Sequence, residues 1–272
     1  MSKTSNQPIS LDRRQFLAGS VATVAMTGTA GDTKVHPRCR AQEFYELRHY
    51  QIASAEKKQI VSNYLEKGFL PALNRMGIDR VGVFTALEDA EDLSIHVLIP
   101  YPTLDAFSEL NPKLAKDKRH RKAATNYFGQ PKKDPAYLRI SSRFMKAFSS
   151  MPVIEMPDQT KQQQSRIFEL RTYESHNEDA ARRKVHMFDN GETELMRNVE
   201  MAPVFFGEML VGDDVPNLTY MLSAANMEEH KAHWKAFLAH PEWDRMKKIP
   251  MYKGTVSKIR NWFLKPASFS QI

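Results

Sequence analysis

The stretch Tyr45-Glu46-Leu47-Arg48-His49-Tyr50 returns as Phe168-Glu169-Leu170-Arg171-Thr172-Tyr173, 123 residues further along the chain. The register holds beyond the stretch: Gly68 falls on Gly191, Val81 on Val204 and Leu87 on Leu210. Repeats of solenoids run at roughly 20–50 residues, so one longer period marks two copies of a small domain. Two copies in one chain must bury surface against each other, and a site would form where they meet.

Outward from the first stretch, residues 43–52 alternate as a strand. Residues 55–76 place Val61, Leu65, Phe69, Ala72 and Met76 at helical spacing. Residues 80–87 and 93–99 read as a hairpin joined by the acidic turn Glu88-Asp89-Ala90-Glu91-Asp92. A second helix starts near Thr103, is interrupted at Asn111-Pro112 and resumes to about Thr125, and 137–147 is a closing strand. The second copy repeats the order: strand 166–174, helix 178–199, hairpin 203–211 and 217–223, a helix capped by Asn226 with Glu229 three residues on, and strand 255–264. Between the copies, Met151 to Gln164 carries two prolines and no periodicity, the mark of a linker.

The order β-α-β-β-α-β is that of a ferredoxin-like split βαβ unit. Two helices cover one face of such a sheet and leave the other needing a partner. The expected fold class is therefore α+β: two tandem ferredoxin-like domains, residues 43–148 and 166–265 with a linker at 149–165, packing sheet to sheet as a dimeric α/β barrel.

Alternation sorts the repeated stretch into two sets. The apolar set (Tyr45, Leu47; Phe168, Leu170) suits the helix-covered core, and the polar set is the same in both copies: Glu46, Arg48, Tyr50 and Glu169, Arg171, Tyr173. These six are expected to face the seam between the sheets; a slip of one residue would invert the assignment. As a buried ion pair, Glu and Arg would only fix the register of the sheets. As a pocket, Arg would clamp an anion while Glu orients it or takes a proton. Those six residues are the candidate ligand-binding set; no catalytic residue is assigned.

The tandem Glu-Leu-Arg-x-Tyr strand, together with Trp234-Lys235-Ala236-Phe237-Leu238-Ala239-His240-Pro241-Glu242-Trp243, resembles the NIPSNAP family over roughly residues 43–265. The first copy departs from the pattern, with Asn111-Pro112-Lys113 where Trp234 and its neighbours stand, so the second copy is where function is expected first. The resemblance implies the dimeric α/β-barrel fold, a superfamily that also holds cofactor-free monooxygenases, isomerases and haem proteins. It implies no catalytic residues, because the family has none established. Its animal members are associated with mitochondria and vesicle roles that this chain need not share.

Residues 1–30 pair Arg13-Arg14 with a short run rich in Ala, Val, Gly and Thr, resembling a twin-arginine export signal that ends near Ala30 or as late as Ala41. Export to the periplasm or beyond is the expectation, with no lipid anchor and no stable membrane insertion afterwards. The single cysteine, Cys39, excludes an intrachain disulfide framework. A hydrophobic share of 42% suffices for packed cores, and the net charge of +7 is spread without a dense Lys/Arg block, which argues against nucleic-acid binding.

Histidines give weaker signals. His49 and His96 lie on neighbouring strands, with Thr172 and Thr219 as counterparts, and His49 shares a face with Leu47, so a core or edge role is expected. His230 and His233 are three apart on one helix without a third ligand at a convincing spacing, so no metal site is assigned. No cofactor is assigned either, and haem enters only by analogy with the superfamily. Phosphate loops and Gly-x-Ser-x-Gly elbows are absent from the sequence. Trp234 and Trp243 are read as helix-to-sheet packing. Two function classes follow: a module binding a small organic or anionic molecule, or stabilising an assembly such as a homodimer, at the seam; and alternatively a cofactor-free monooxygenase, isomerase-like or haem-associated enzyme.

Overall fold

The computed structural model describes residues 41–272 apart from Glu88 and Ala90; the export signal expected over residues 1–30, and Cys39, lie outside the described residues. The first copy runs Phe44–Gln51 (β1), Ala55–Tyr64 (α1), a π-helical turn Leu65–Phe69, Leu70–Arg75 (α2), Gly82–Ala86 (β2) and Ile95–Tyr101 (β3). A segmented helix follows, Leu104–Ser108 (α3), Leu110–Lys116 (α4), Lys118–Ala123 (α5) and Thr125–Phe128 (α6), before the strand Arg139–Ala147 (β4). After a linker holding Asp158–Lys161 (α7), the second copy gives Ile167–Glu174 (β5), Glu178–Met187 (α8), a π-helical turn Phe188–Glu192 and Thr193–Asn198 (α9). It ends with Pro203–Val211 (β6), Asn217–Ala224 (β7), Met227–Ala239 (α10), Pro241–Met246 (α11) and Lys258–Pro266 (β8).

The 123-residue spacing also sets the helix starts. Ser54 and Asn177 cap α1 and α8, and Thr103 and Asn226 cap α3 and α10, each accepting a hydrogen bond from a first-turn backbone N–H. Even the π-helical turns recur at equivalent positions. Gly191 is required in the second of them, because its φ of +136° lies in a region other residues rarely adopt.

The second helix of the first copy does not break at Asn111-Pro112. It breaks at Glu109 and Asp117, and Pro112 sits in the first turn of α4, where its missing N–H has no intrahelical partner to lose. Asp117, with ψ of 104°, leaves the helix and caps α5 by accepting from the N–H groups of Arg119 and His120 at 2.8 and 3.0 Å.

The strands close into an eight-stranded barrel in the order β1-β3-β2-β8-β5-β7-β6-β4. The copies meet at two antiparallel pairs, β2 with β8 and β4 with β6, so the two repeats pair within one chain. An eight-stranded barrel is just wide enough for its interior side chains to fill. Away from its open end they do: Tyr45 meets Phe205 edge-on at 5.2 Å and Phe84 meets Phe168 at 4.9 Å, both contacts crossing between copies.

This packing corrects the sorting of the repeated stretch. Tyr45, Leu47, Phe168 and Leu170 point into the barrel, in one cluster with Leu98 and Met221. Glu46, Arg48 and Tyr50, and likewise Glu169, Arg171 and Tyr173, face outward under the helices; Tyr50 belongs to the helix-side core of the first copy and Tyr173 to that of the second. Alternation separates the two sets but does not say which is inside. The donors that reach the two glutamates, Tyr101 and Ser142 for Glu46 and Trp234 and Asn261 for Glu169, all stand on the helix-covered face.

One end of the barrel is sealed. Ile154 of the linker and Ile272 join the interior cluster, 4% and 0% exposed. Glu43 ties the linker to this end by accepting from the Ile154 N–H at 2.9 Å and from Arg80 Nη2 at 2.7 Å. The end where β1 finishes is open.

Candidate functional site

Each polar trio forms the base of a helix-to-sheet cleft. In the first copy the Glu46 carboxylate is 4% exposed and accepts two hydrogen bonds from Arg48, from Nε at 2.8 Å and Nη2 at 3.0 Å. Tyr101 on β3 and Ser142 on β4 donate the remaining two, at 2.8 and 2.7 Å. Burial works to raise the Glu46 pKa, but the Arg48 charge and these donors hold it below the usual carboxylate range. The Arg48 guanidinium lies over the Phe69 ring at 5.1 Å.

The second copy builds the same carboxylate site from other residues. Glu169, 1% exposed, accepts from Arg171 Nη1 at 2.7 Å, Asn261 Nδ2 at 3.1 Å and Trp234 Nε1 at 2.9 Å, with His230 Nε2 at 3.2 Å. Burial opposes ionisation here too, yet His230, Arg171 and Trp234 keep its pKa below the ordinary value. The Trp234 indole covers Arg171 at 4.4 Å, and the Tyr220 hydroxyl donates to Tyr173 at 2.7 Å.

The partners of each glutamate were not legible as such. Tyr101, Ser142, His230 and Asn261 come from strands and helices distant in sequence, and only the shared face of His230 and Trp234, four residues apart, hints at a common target.

The clefts differ above these bases. In the first copy a cavity of about 1100 Å³ opens between the sheet and the segmented helix, lined by Arg48, Tyr50, Phe69 and Asn111 among others. Its wall is a run of tyrosines: Tyr64 stacks on Tyr127 at 3.9 Å, Tyr127 on Tyr137 at 5.8 Å, and Tyr137 meets Tyr50 edge-on at 5.8 Å. His120 is also in the wall, 3% exposed. Its Nδ1 lies 3.2 Å from the Leu114 carbonyl, which can only accept, so the neutral ring accepts from the Tyr64 hydroxyl through Nε2 at 3.2 Å. Burial lowers the His120 pKa and keeps the ring neutral near pH 7.

In the second copy the corresponding space is split into volumes of about 720 and 430 Å³, both lined by Trp234 and Arg171. Asn111 occupies the repeat position of Trp234. The departure that makes the first copy look degenerate is therefore what leaves room above Arg48, and the larger cavity lies in the copy where function was not expected first.

His49 and His96 are directly opposite each other on β1 and β3, their rings stacked at 4.6 Å. They do share a face with Leu47, but that face is the barrel interior, at its open end, and not the helix side. His230 is engaged with Glu169, and His233 lies 3.8 Å from Glu229. Among the described residues no three His, Cys, Asp or Glu side chains gather as a metal site, and no helix is long and apolar enough to cross a membrane.

Comparison with known proteins decides the family. The NIPSNAP family model matches residues 45–151 and again residues 168–271. The chain belongs to the NIPSNAP family. Both copies match, including the first with its Asn111-Pro112-Lys113 departure. No curated protein matches this NIPSNAP chain.

Among solved structures, a proposed monooxygenase from Lactobacillus acidophilus NCFM is similar with a TM-score of 0.55 and 11% identity, over 83% of this chain and 94% of that one. Another from Fusobacterium nucleatum gives 0.51 and 9%, over 83% and 93%. A NIPSNAP-like domain protein from Burkholderia xenovorans is 21% identical over 39% of this chain and 88% of its own, with a TM-score of 0.36. At these identities the two longer matches establish a shared fold: one NIPSNAP chain supplies both halves of the barrel.

Proposed function

We propose that this NIPSNAP protein binds a small, largely planar organic molecule in the helix-to-sheet cleft of its first copy, with Arg48, Glu46 and Tyr50 at the polar base. The observation that carries the reading is the cavity of about 1100 Å³ beside Asn111, where the second copy places Trp234 over its arginine. Apolar and aromatic walls with a few convergent polar groups are what small-molecule sites have in common. The tyrosine rings supply area and stacking faces, and the guanidinium, already fixed by Glu46, presents its remaining N–H groups without loss of side-chain freedom. Glu169, Arg171 and Tyr173 form the corresponding base in the second copy, covered by Trp234.

Mass spectrometry of small molecules released from the purified protein tests the reading. A compound present in the native chain and lost from Asn111→Trp supports it; the same compound retained by that variant places it elsewhere and overturns the assignment.

A second reading, catalysis on the bound molecule, draws on the Tyr64–His120 pair in the cavity wall, a neutral imidazole joined to a hydroxyl that can pass a proton. Fold neighbours described as monooxygenases lend it likeness of fold alone. Turnover by the wild type and not by His120→Gln, with binding preserved, would separate catalysis from binding. The leader at residues 1–30 adds export to the proposal; replacing Arg13 and Arg14 by lysine is expected to hold the protein in the cytoplasm, as read by cell fractionation.

A further inference from the structure

The open end of the barrel holds a second cavity, of about 440 Å³, that the helix-to-sheet clefts do not explain. Its floor is Leu47 and Leu170, one from each copy, and its walls carry His49, His96, Arg143 and Trp262. It shares only Leu138 with the lining of the first-copy cleft. The opposite end of the barrel is closed by Ile154 and Ile272. Nothing among the described residues fills this one.

The polar groups here lack the partners that buried groups normally have. His96 is 7% exposed and its Nδ1 is without a hydrogen-bond partner, as is the Ser94 hydroxyl beside it. Arg143, half-buried on β4, has no ion-pair partner among the described residues. Arg260, across the barrel on β8, is paired with both Glu174 and Asp214. Burial and the nearby Arg260 charge lower the Arg143 pKa, against the pull of Asp214, Asp213 and Glu174. Two carboxylates of the loop before β3, Glu91 and Asp92, also line the cavity, and Asp92 is engaged by the Ser94 N–H at 2.9 Å.

The second copy closes this layer on itself. Thr172 and Thr219, at the positions of His49 and His96, are buried and joined hydroxyl to hydroxyl at 2.9 Å. Copy one thus replaces a closed, self-satisfied pair by two imidazoles and a guanidinium whose nitrogen atoms, among the described residues, have no hydrogen-bond or ion-pair partner.

We propose that the open barrel end binds a small organic carboxylate, its carboxylate held by Arg143 and the His49–His96 pair and its apolar body against the Trp262 indole. A guanidinium takes a carboxylate bidentately, and neutral imidazoles donate a further hydrogen bond without adding repulsive charge. Leu47, Leu170 and Trp262 form an apolar surface opposite the polar wall, which distinguishes an organic acid from an inorganic anion. This site does not depend on the reading given to the first-copy cleft.

The test is titration of the full chain with benzoate, acetate and sulfate, followed by calorimetry and by the imidazole resonances of His49 and His96. Saturable benzoate binding that shifts both resonances is expected, with acetate and sulfate at least tenfold weaker. Arg143→Gln should weaken benzoate at least tenfold. The double variant His49→Thr, His96→Thr installs the pair that the second copy folds with, and should weaken it comparably should Arg143→Gln not fold. Absence of saturation, sulfate binding as tight as benzoate, or unchanged affinity in a folded variant would overturn the proposal.

Discussion

The Trp234 indole covers the Arg171 guanidinium at 4.4 Å while its Nε1–H donates to Glu169 at 2.9 Å, so one side chain both shields and completes the buried ion pair. The first copy has Asn111 at that position and completes its pair from the strands instead, through Tyr101 and Ser142. Trp234→Asn should therefore open the second cleft and lose packing and a charge-assisted hydrogen bond together. A cost of about 2–4 kcal/mol is expected from those two losses. Urea denaturation of the variant checks it, and a cost below the range of ordinary surface changes would show that Trp234 is not structural.

Glu46 accepts four hydrogen bonds in a site almost closed to water. Removing it as Glu46→Ala strands Arg48 as a buried, uncompensated charge, and about 3–5 kcal/mol of stability should be lost. The pair Glu46→Leu, Arg48→Met should recover most of that loss, because neither charge then has to be desolvated. Equal destabilisation of the single and double variants, read by denaturant midpoints at constant m-value, would contradict this account.

Lys184 Nζ donates to Glu192 at 2.6 Å, with both residues buried and the ammonium over the Phe188 ring at 4.7 Å. The first copy carries the buried apolar residues Val61 and Phe69 at these two positions. Burial raises the Glu192 pKa despite the pull of Lys184. A carboxyl raised in the fold holds a proton that the unfolded chain releases, so its protonation adds stability as pH falls through its folded value. Lys184→Met should cost about 3–5 kcal/mol at pH 7 and less at pH 5, because uptake of a proton as pH falls relieves the carboxylate that the variant leaves buried without its partner. A penalty that stays constant between the two pH values would refute the assignment.

At the open barrel end, burial lowers the His96 pKa to about 3, and burial lowers that of His49 as well. A histidine depressed in the fold is neutral there while the unfolded chain takes up a proton below its ordinary value near 6.5. Stability is therefore full above that value and is lost as pH falls below it. His96 alone should remove about 2 kcal/mol between pH 7 and 5. The double variant His49→Thr, His96→Thr should flatten that part of the stability curve; an unchanged slope in chemical denaturation would show that neither ring is held neutral by the fold.

Much of the fold is legible in the sequence. The recurrence of Glu-Leu-Arg-x-Tyr, the helix starts at Ser54, Thr103, Asn177 and Asn226 and the hairpins all follow from local spacing, which the structure respects. The break in the second helix was misplaced because a proline in a first turn is harmless, whereas Asp117 could end one helix and cap the next. The site was legible only in part. Glu46, Arg48 and Tyr50 were correctly grouped on one face, yet that face was turned the wrong way, because both faces of this sheet are buried and alternation is blind to which neighbour covers them.

The amino-acid order by itself determined the two copies, their β-α-β-β-α-β course and the pairing of each Glu with the Arg two residues on, since all of these depend on periods of two, 3.6 and 123 residues along the chain. Tertiary structure alone decided that the barrel interior takes the apolar set, that Asn111 leaves undivided a space that Trp234 splits, and that His49, His96, Arg143 and Trp262 meet at the open end. Those outcomes depend on which strands close the barrel and which side chains the helices bring down on it, and such contacts between distant segments leave no periodic trace in the sequence.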